Sequence, residues 1–199
     1  MTRPSYRIAV TGTHSTGKTS FVERLKGEFE ARGLKADHVH DSAANARALG
    51  FPILADHTFE STAWLMARAM QLETEATLSA DVILIDRPVP DALGYLLAAL
   101  AHSGRALDPI RLGVLEKICA AWASEYDLVF RTVLDPSVPI GQGRDGDETF
   151  RIKAGEEVAA VVDRLLPARH LLRNGDSDAA LALALAGFDT WNGTRSYGR

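Results

Sequence analysis

Residues 6–20 read YRIAVTGTHSTGKTS, and this stretch decides the architecture. Arg7 to Val10 is a short β-rich run that stops at Thr11-Gly12, the pattern of a buried first strand. Lys18 to Arg32 predicts a helix: Val22, Leu25 and Phe29 recur at helical spacing, and Gly33 suits the position just past its end. Between them, Gly12, Thr13, His14, Ser15, Thr16, Gly17, Lys18 and Thr19 fit G-x-x-x-x-G-K-[ST] without a mismatch. Glycines let such a loop bend so that successive N–H groups point at phosphate oxygens. The helix start adds partial positive charge. Lys18 supplies a point charge to the β and γ phosphates, the Thr19 hydroxyl a ligand for Mg²⁺, and Ser20 an α-phosphate contact. The bland reading is a glycine-rich turn with an exposed lysine, which the strand-then-helix context disfavours. His14 occupies a free position of the pattern, on which the chemistry makes no demand.

Outward from this loop, strands and helices alternate. Strands are expected at 35–41, 81–86, 126–134 and 170–173. Helices are expected at 42–49, 58–79, 90–102, 108–124, 150–166 and 176–186. DVILID at 81–86 is the clearest strand, with the uninterrupted apolar centre of one buried on both faces. The alternation demands crossovers, hence a mostly parallel sheet with helices on both faces. Ligands in such sheets bind beyond the carboxyl ends of the strands.

Polar residues that follow each strand are therefore the candidates. Asp86 ends the third strand and is placed to hold Mg²⁺ or to take a proton from an acceptor; capping the next turn is the competing role. Arg87 follows it, and Asp91 either orients Arg87 or caps the next helix. Asp41 ends the second strand as a general base or as an N-cap. Arg47, Arg68, Gln71 and Glu75 either line an acceptor pocket or are solvated helix residues. The segment 136–151 carries Arg144 and Arg151 around Asp145, Asp147 and Glu148. It reads as a lid that closes over phosphates, or as a plain solvated loop.

TGTHSTGKTS, Asp41, IDRPVPDALGY and GRDGDETFR together resemble the P-loop AAA-like ATPase/kinase domains related to the ribosylnicotinamide kinase domain of NadR-type proteins. The resemblance runs from about Tyr6 to Leu172, and the Asp86-Arg87 pair is similar to the DR motif of P-loop nucleoside and nucleotide kinases. It implies an α/β, three-layer P-loop NTPase fold, with a parallel five-stranded sheet in 2-3-1-4-5 order. It also implies ATP with Mg²⁺ and phosphoryl transfer to a small hydroxyl acceptor, nucleoside-like or nucleotide, nicotinamide riboside among them. Lys18, Asp41, Asp86, Arg87, Arg144 and Arg151 are then the catalytic set, residues 12–20 the nucleotide cradle, and Thr19 and Asp86 the metal ligands. Two departures stand out. Asp41 occupies a place where relatives carry Glu, and no adenylyltransferase domain accompanies the kinase-like one, so a kinase here is expected to act alone.

Composition agrees with one soluble domain over 1–199. The chain is 46% hydrophobic and 24% charged, with a formal charge of -4, which argues against a general nucleic-acid binder. The single cysteine, Cys119, forbids an internal disulfide and suggests a reduced, cytoplasmic location. No apolar run approaches a membrane span. Oligomeric state stays open. A stand-alone ATPase and a nucleotide-dependent switch compete with the kinase. A GTPase lacks its base-reading N/T-K-x-D signature, and a dinucleotide-binding dehydrogenase lacks G-x-G-x-x-G.

Overall fold

The computed structural model describes residues 4–135, 147–166 and 168–196. Five strands form one sheet: β1 (Tyr6–Thr11), β2 (Ala36–Val39), β3 (Val82–Asp86), β4 (Leu128–Thr132) and β5 (His170–Leu172). All pair in parallel, in the order β2-β3-β1-β4-β5. This is the expected 2-3-1-4-5 arrangement. β1 and β3 are buried almost throughout, which explains their unbroken apolar runs.

Helices cover both faces. On one side α1 (Lys18–Ala31) and α7 (Ser177–Ser196) pack Phe21, Leu25, Phe29, Leu181 and Phe188 onto Ile8, Val10, Leu84 and Phe130. On the other, α3 (Phe59–Ala76), α4 (Val89–Ser103) and α6 (Glu148–Leu165) meet Ala9, Ile83, Ile85 and Val129. α5 (Pro109–Ala123) lies outside α3 and α4, burying Leu115 and Cys119. Burial pushes the Cys119 thiol up to about 12, so it is an inert core residue. No described helix is long and apolar enough to cross a membrane.

Local signals set most boundaries. Gly33 ends α1 in a left-handed turn, with its N–H bonded to Glu30 O and that of Leu34 to Phe29 O. Asp108 caps α5 by accepting from the amides of Ile110 and Arg111.

Other boundaries differ from expectation. β2 stops at Val39, because the Asp41 carboxylate accepts the Ala43 N–H at 2.8 Å and turns the chain into α2 (Ala43–Ala48). A 3₁₀ turn at Leu54–Asp56 follows α2. α6 starts at Glu148, since Asp147 accepts the Phe150 N–H. α7 runs through Gly187 to Ser196. A Cβ at Gly187 would lie 2.6 Å from the Tyr6 hydroxyl, so the glycine lets the helix lie on β1 while Phe188 and Trp191 grip the Tyr6 ring. Of the expected lid at 136–151, residues 136–146 lie outside the described residues, Arg144 among them.

Candidate functional site

The order of the sheet reverses around β1, and the loop after β1 opens there. Gly12 (φ 132) leaves the strand where Thr132 of β4 crowds it; a Cβ would lie 2.0 Å from Thr132 Oγ1. Thr132 Oγ1 also donates to Thr11 O at 3.0 Å and lies 2.8 Å from Thr16 Oγ1, so it braces the loop from the side. Ser15 (φ 56) and Gly17 (φ 80) adopt left-handed backbone, and Lys18 opens α1.

Within the loop, Lys18 Nζ is buried and donates to Thr13 O at 2.5 Å. Burial, then the Arg87 charge, pull its ammonium down to about 7, against the opposing pull of Asp86, Asp91 and Asp41. Two loop amides are engaged by the protein itself: Gly12 N–H donates to Asp91 Oδ2 at 3.2 Å and His14 N–H to the Tyr95 hydroxyl at 3.1 Å. Thr11 Oγ1 donates to Asp91 Oδ1. Asp91 is buried and its carboxyl is raised to about 6, chiefly by that burial. Among the described residues its carboxylate makes no capping hydrogen bond in α4; it fastens the end of β1 to that helix.

Thr19 and Asp86 meet as expected: Thr19 Oγ1 donates to Asp86 Oδ2 at 2.6 Å. Asp86 Oδ1 is buried and makes no hydrogen bond among the described residues. A hydroxyl and a carboxylate with an unsatisfied oxygen form an all-oxygen donor set, which suits Mg²⁺.

Arg87 sits in left-handed backbone (φ 70), its N–H bonded to Val10 O at 3.2 Å. The guanidinium lies over the Tyr95 ring at 4.8 Å and its Nε meets Asp41 Oδ2 at 2.6 Å. Asp41 thus reaches the site through Arg87 rather than as the last residue of a strand.

Arg151 is not part of a loop. It stands in the first turn of α6, 1% exposed, and donates to His14 O at 3.4 Å and Ser15 O at 3.1 Å. It clamps the cradle from behind. Ser20 is exposed on α1. Arg68, Gln71 and Glu75 bond to one another along an exposed face of α3, and Arg47 is exposed on α2; none of the four lines the cavity described next.

That cavity adjoins the loop. Its walls include Asp41, Leu54, His57, Arg87, Asp91 and Tyr95, with Ile53, Leu65 and Val89 among the apolar groups. His57 is buried, and desolvation followed by the Arg87 charge pushes its imidazole down to about 4, so it is neutral at pH 7. Thr132 and His57 carry no role in the sequence reading, and Tyr95 stands there only as the last residue of IDRPVPDALGY. Tyr95 had a findable signal, because it lies one helical turn past Asp91 on the same face of α4. Thr132 and His57 had none, since their roles come from neighbours distant in the chain.

The family model of an AAA domain, AAA_28, matches residues 7–172, most of the chain. The chain belongs to this family. No curated protein matches it significantly. Among solved structures it is similar to NadR in complex with NAD and AMP-PNP (TM-score 0.69, 18% identity, 93% of this chain and 50% of that one). It is also similar to deoxyadenosine kinase from M. mycoides with bound dATP (TM-score 0.65, 12% identity, 92% and 99%). NadR in complex with NR gives a TM-score of 0.62 at 18% identity over 84% of this chain and 45% of that one. The AAA_28 chain thus spans about half the length of NadR and nearly the whole of the deoxyadenosine kinase. At these identities the likeness establishes a shared P-loop kinase fold.

Proposed function

We propose that this AAA_28 chain transfers the γ-phosphoryl group of ATP, with Mg²⁺, to a hydroxyl of a small nucleoside-type acceptor. One observation carries the reading: Asp91 and Tyr95 belong at once to the wall of the cavity and to the bracing of the phosphate loop, and Arg87, in the same wall, lies over the Tyr95 ring. A molecule in that cavity would lie beside whatever the loop holds. NadR holds NAD with AMP-PNP in one solved structure and NR in another, and the deoxyadenosine kinase holds dATP, which supports ligands of the nucleotide and nucleoside class.

Thr19 and Asp86 would hold Mg²⁺, which supplies charge neutralisation between phosphates when bound. Lys18 and the orphan amides at the start of α1 would grip the phosphate tail. Asp41 would accept the proton of the acceptor hydroxyl as its oxygen bonds to phosphorus and the bond to the ADP oxygen breaks. Arg87 would keep the Asp41 carboxylate in place and offset charge on the transferring group. Asp86 is the weaker candidate for the base, because one oxygen is taken by Thr19 and the other suits the metal.

Charge narrows the acceptor. Apart from histidines and Tyr95, the ionisable residues lining the cavity are Asp41, Arg87 and Asp91. The Arg87 guanidinium is already engaged by Asp41. A phosphorylated acceptor would need a second cation, and no further Lys or Arg lines the described cavity, so an unphosphorylated hydroxyl compound fits better.

A panel of nucleosides, nucleoside monophosphates and nicotinamide riboside, scored for acceptor-dependent ADP release, tests this. A nucleoside should stimulate release and its monophosphate should not. Lys18→Ala should abolish turnover while circular dichroism stays unchanged. Full turnover in that variant, or no stimulation by any acceptor, would refute the kinase reading, the latter in favour of an ATPase or a switch.

A further inference from the structure

Three chemistry-bearing side chains gather outside the phosphate site. His38 lies in β2 and His40 just past its end, two residues apart, so the pleat turns both to the same side of the sheet. Glu23 faces them from α1, one helical turn beyond Thr19. The two imidazoles lie 3.7 Å apart, centroid to centroid, tilted by 33°. Glu23 Oε1 is 2.7 Å from His38 Nδ1. One donor atom from each of the three residues lies within 4.8 Å of the other two.

The His38 side chain is only 3% exposed, and its Nε2 is buried with no hydrogen-bond partner among the described residues. The nitrogen turned to Glu23 is Nδ1, so that is the one the cluster offers a metal. The stacking adds a second constraint. Rings this close bring one nitrogen of each within 4.8 Å of a Glu23 carboxylate oxygen.

We propose that Glu23, His38 and His40 form a binding site for a borderline transition-metal ion, with Zn²⁺ as its reference occupant. Two imidazoles and one carboxylate make the N₂O donor set of a three-ligand zinc site, with the fourth position left to water. Imidazole donors favour Zn²⁺ or Co²⁺ over Mg²⁺, whereas Thr19 and Asp86 offer only oxygen. Zinc bonds of about 2.0–2.1 Å require the donor atoms to draw closer together. Glu23 and His40 are exposed and free to do so, while buried His38 stays as the fixed point. An occupied site would join α1 to β2, a four-residue strand at the edge of the described sheet, one residue before Asp41. It does not depend on the kinase reading.

The test is calorimetric titration of untagged protein with Zn²⁺ in excess Mg²⁺, with Co²⁺ absorption spectra and thermal melts alongside. The expected result is one Zn²⁺ per chain, intense visible Co²⁺ bands of a tetrahedral N/O shell, and a rise in Tm. His40→Ala, at an exposed position, should keep the fold and weaken Zn²⁺ binding by about tenfold or more. Glu23→Gln should weaken it in the same direction. Asp86→Asn should leave Zn²⁺ binding unchanged. The proposal is overturned by no stoichiometric uptake, by His40→Ala binding like the wild type, or by loss of binding in Asp86→Asn, which would put the ion in the magnesium site.

Discussion

Gly12 and Gly17 fill the two glycine positions of one motif for different reasons. At Gly12 the backbone is left-handed and Thr132 occupies the space a side chain would need, 2.0 Å from a Cβ. At Gly17 the backbone is also left-handed, but nothing lies within 4 Å of a Cβ. Gly17→Ala should therefore cost about 1 kcal/mol, the conformational penalty alone. Gly12→Ala should cost more, about 1–3 kcal/mol of strain plus the clash, and should abolish ATP binding by displacing the loop. Urea unfolding with nucleotide calorimetry on both variants checks the contrast; equal effects would mean Thr132 does not brace the loop. Asp86 yields a second expectation at this scale. Asp86→Asn should keep the Thr19 hydrogen bond yet remove the gain in nucleotide affinity that Mg²⁺ confers, read by titrations with and without the ion.

Among the elements, α4 and α6 carry the site between them. α4 supplies Asp91 and Tyr95, and α6 supplies Arg151, all bonded to the phosphate loop. Their close approach depends on Gly94, where a Cβ would stand 2.6 Å from the Val158 Cα. Backbone cannot yield as a flexible side chain does. Gly94→Ala should push α6 away and destabilise the fold by about 1–3 kcal/mol. Because Arg151 moves with α6, turnover should fall although residue 94 touches no substrate. Denaturant unfolding and steady-state kinetics on the one variant test both effects. The loop's grip, so described, rests on helix packing behind it as much as on its own motif.

At the scale of the molecule, a buried carboxyl ties distant segments together. Glu73 of α3 accepts from Trp122 Nε1 of α5 at 2.8 Å and from the Tyr126 hydroxyl at 3.1 Å, and that hydroxyl accepts the Val89 N–H that starts α4. Burial raises the Glu73 carboxyl from 4.5 to about 7, while the bonds from Trp122 and Tyr126 pull the other way. Between those values the folded chain holds the extra proton. Stability from this group is complete below about pH 4.5 and is lost as pH rises through about 7, by up to about 3 kcal/mol. Glu73→Gln keeps the shape and cannot ionise. Its melting temperature should exceed the wild type's at pH 8, with the difference shrinking toward pH 5. A constant difference across that range would show that Glu73 does not titrate in the window.

Residues 7–19 and 81–86 announced the first strand, the cradle and the buried third strand from residue order alone, because strand burial, helix capping and glycine backbone are local constraints. Asp86 beside Thr19 followed, since a strand end and a helix start at one sheet edge leave little freedom. What local order could not specify was which residue of one segment stands against another. Only packing put Tyr95 on the His14 amide, turned Arg151 from an expected lid into a clamp, took Asp41 out of β2 to meet Arg87, and stacked His38 on His40 near Glu23. Those contacts depend on helix facing and on spacings across the sheet, which are set by the whole core at once.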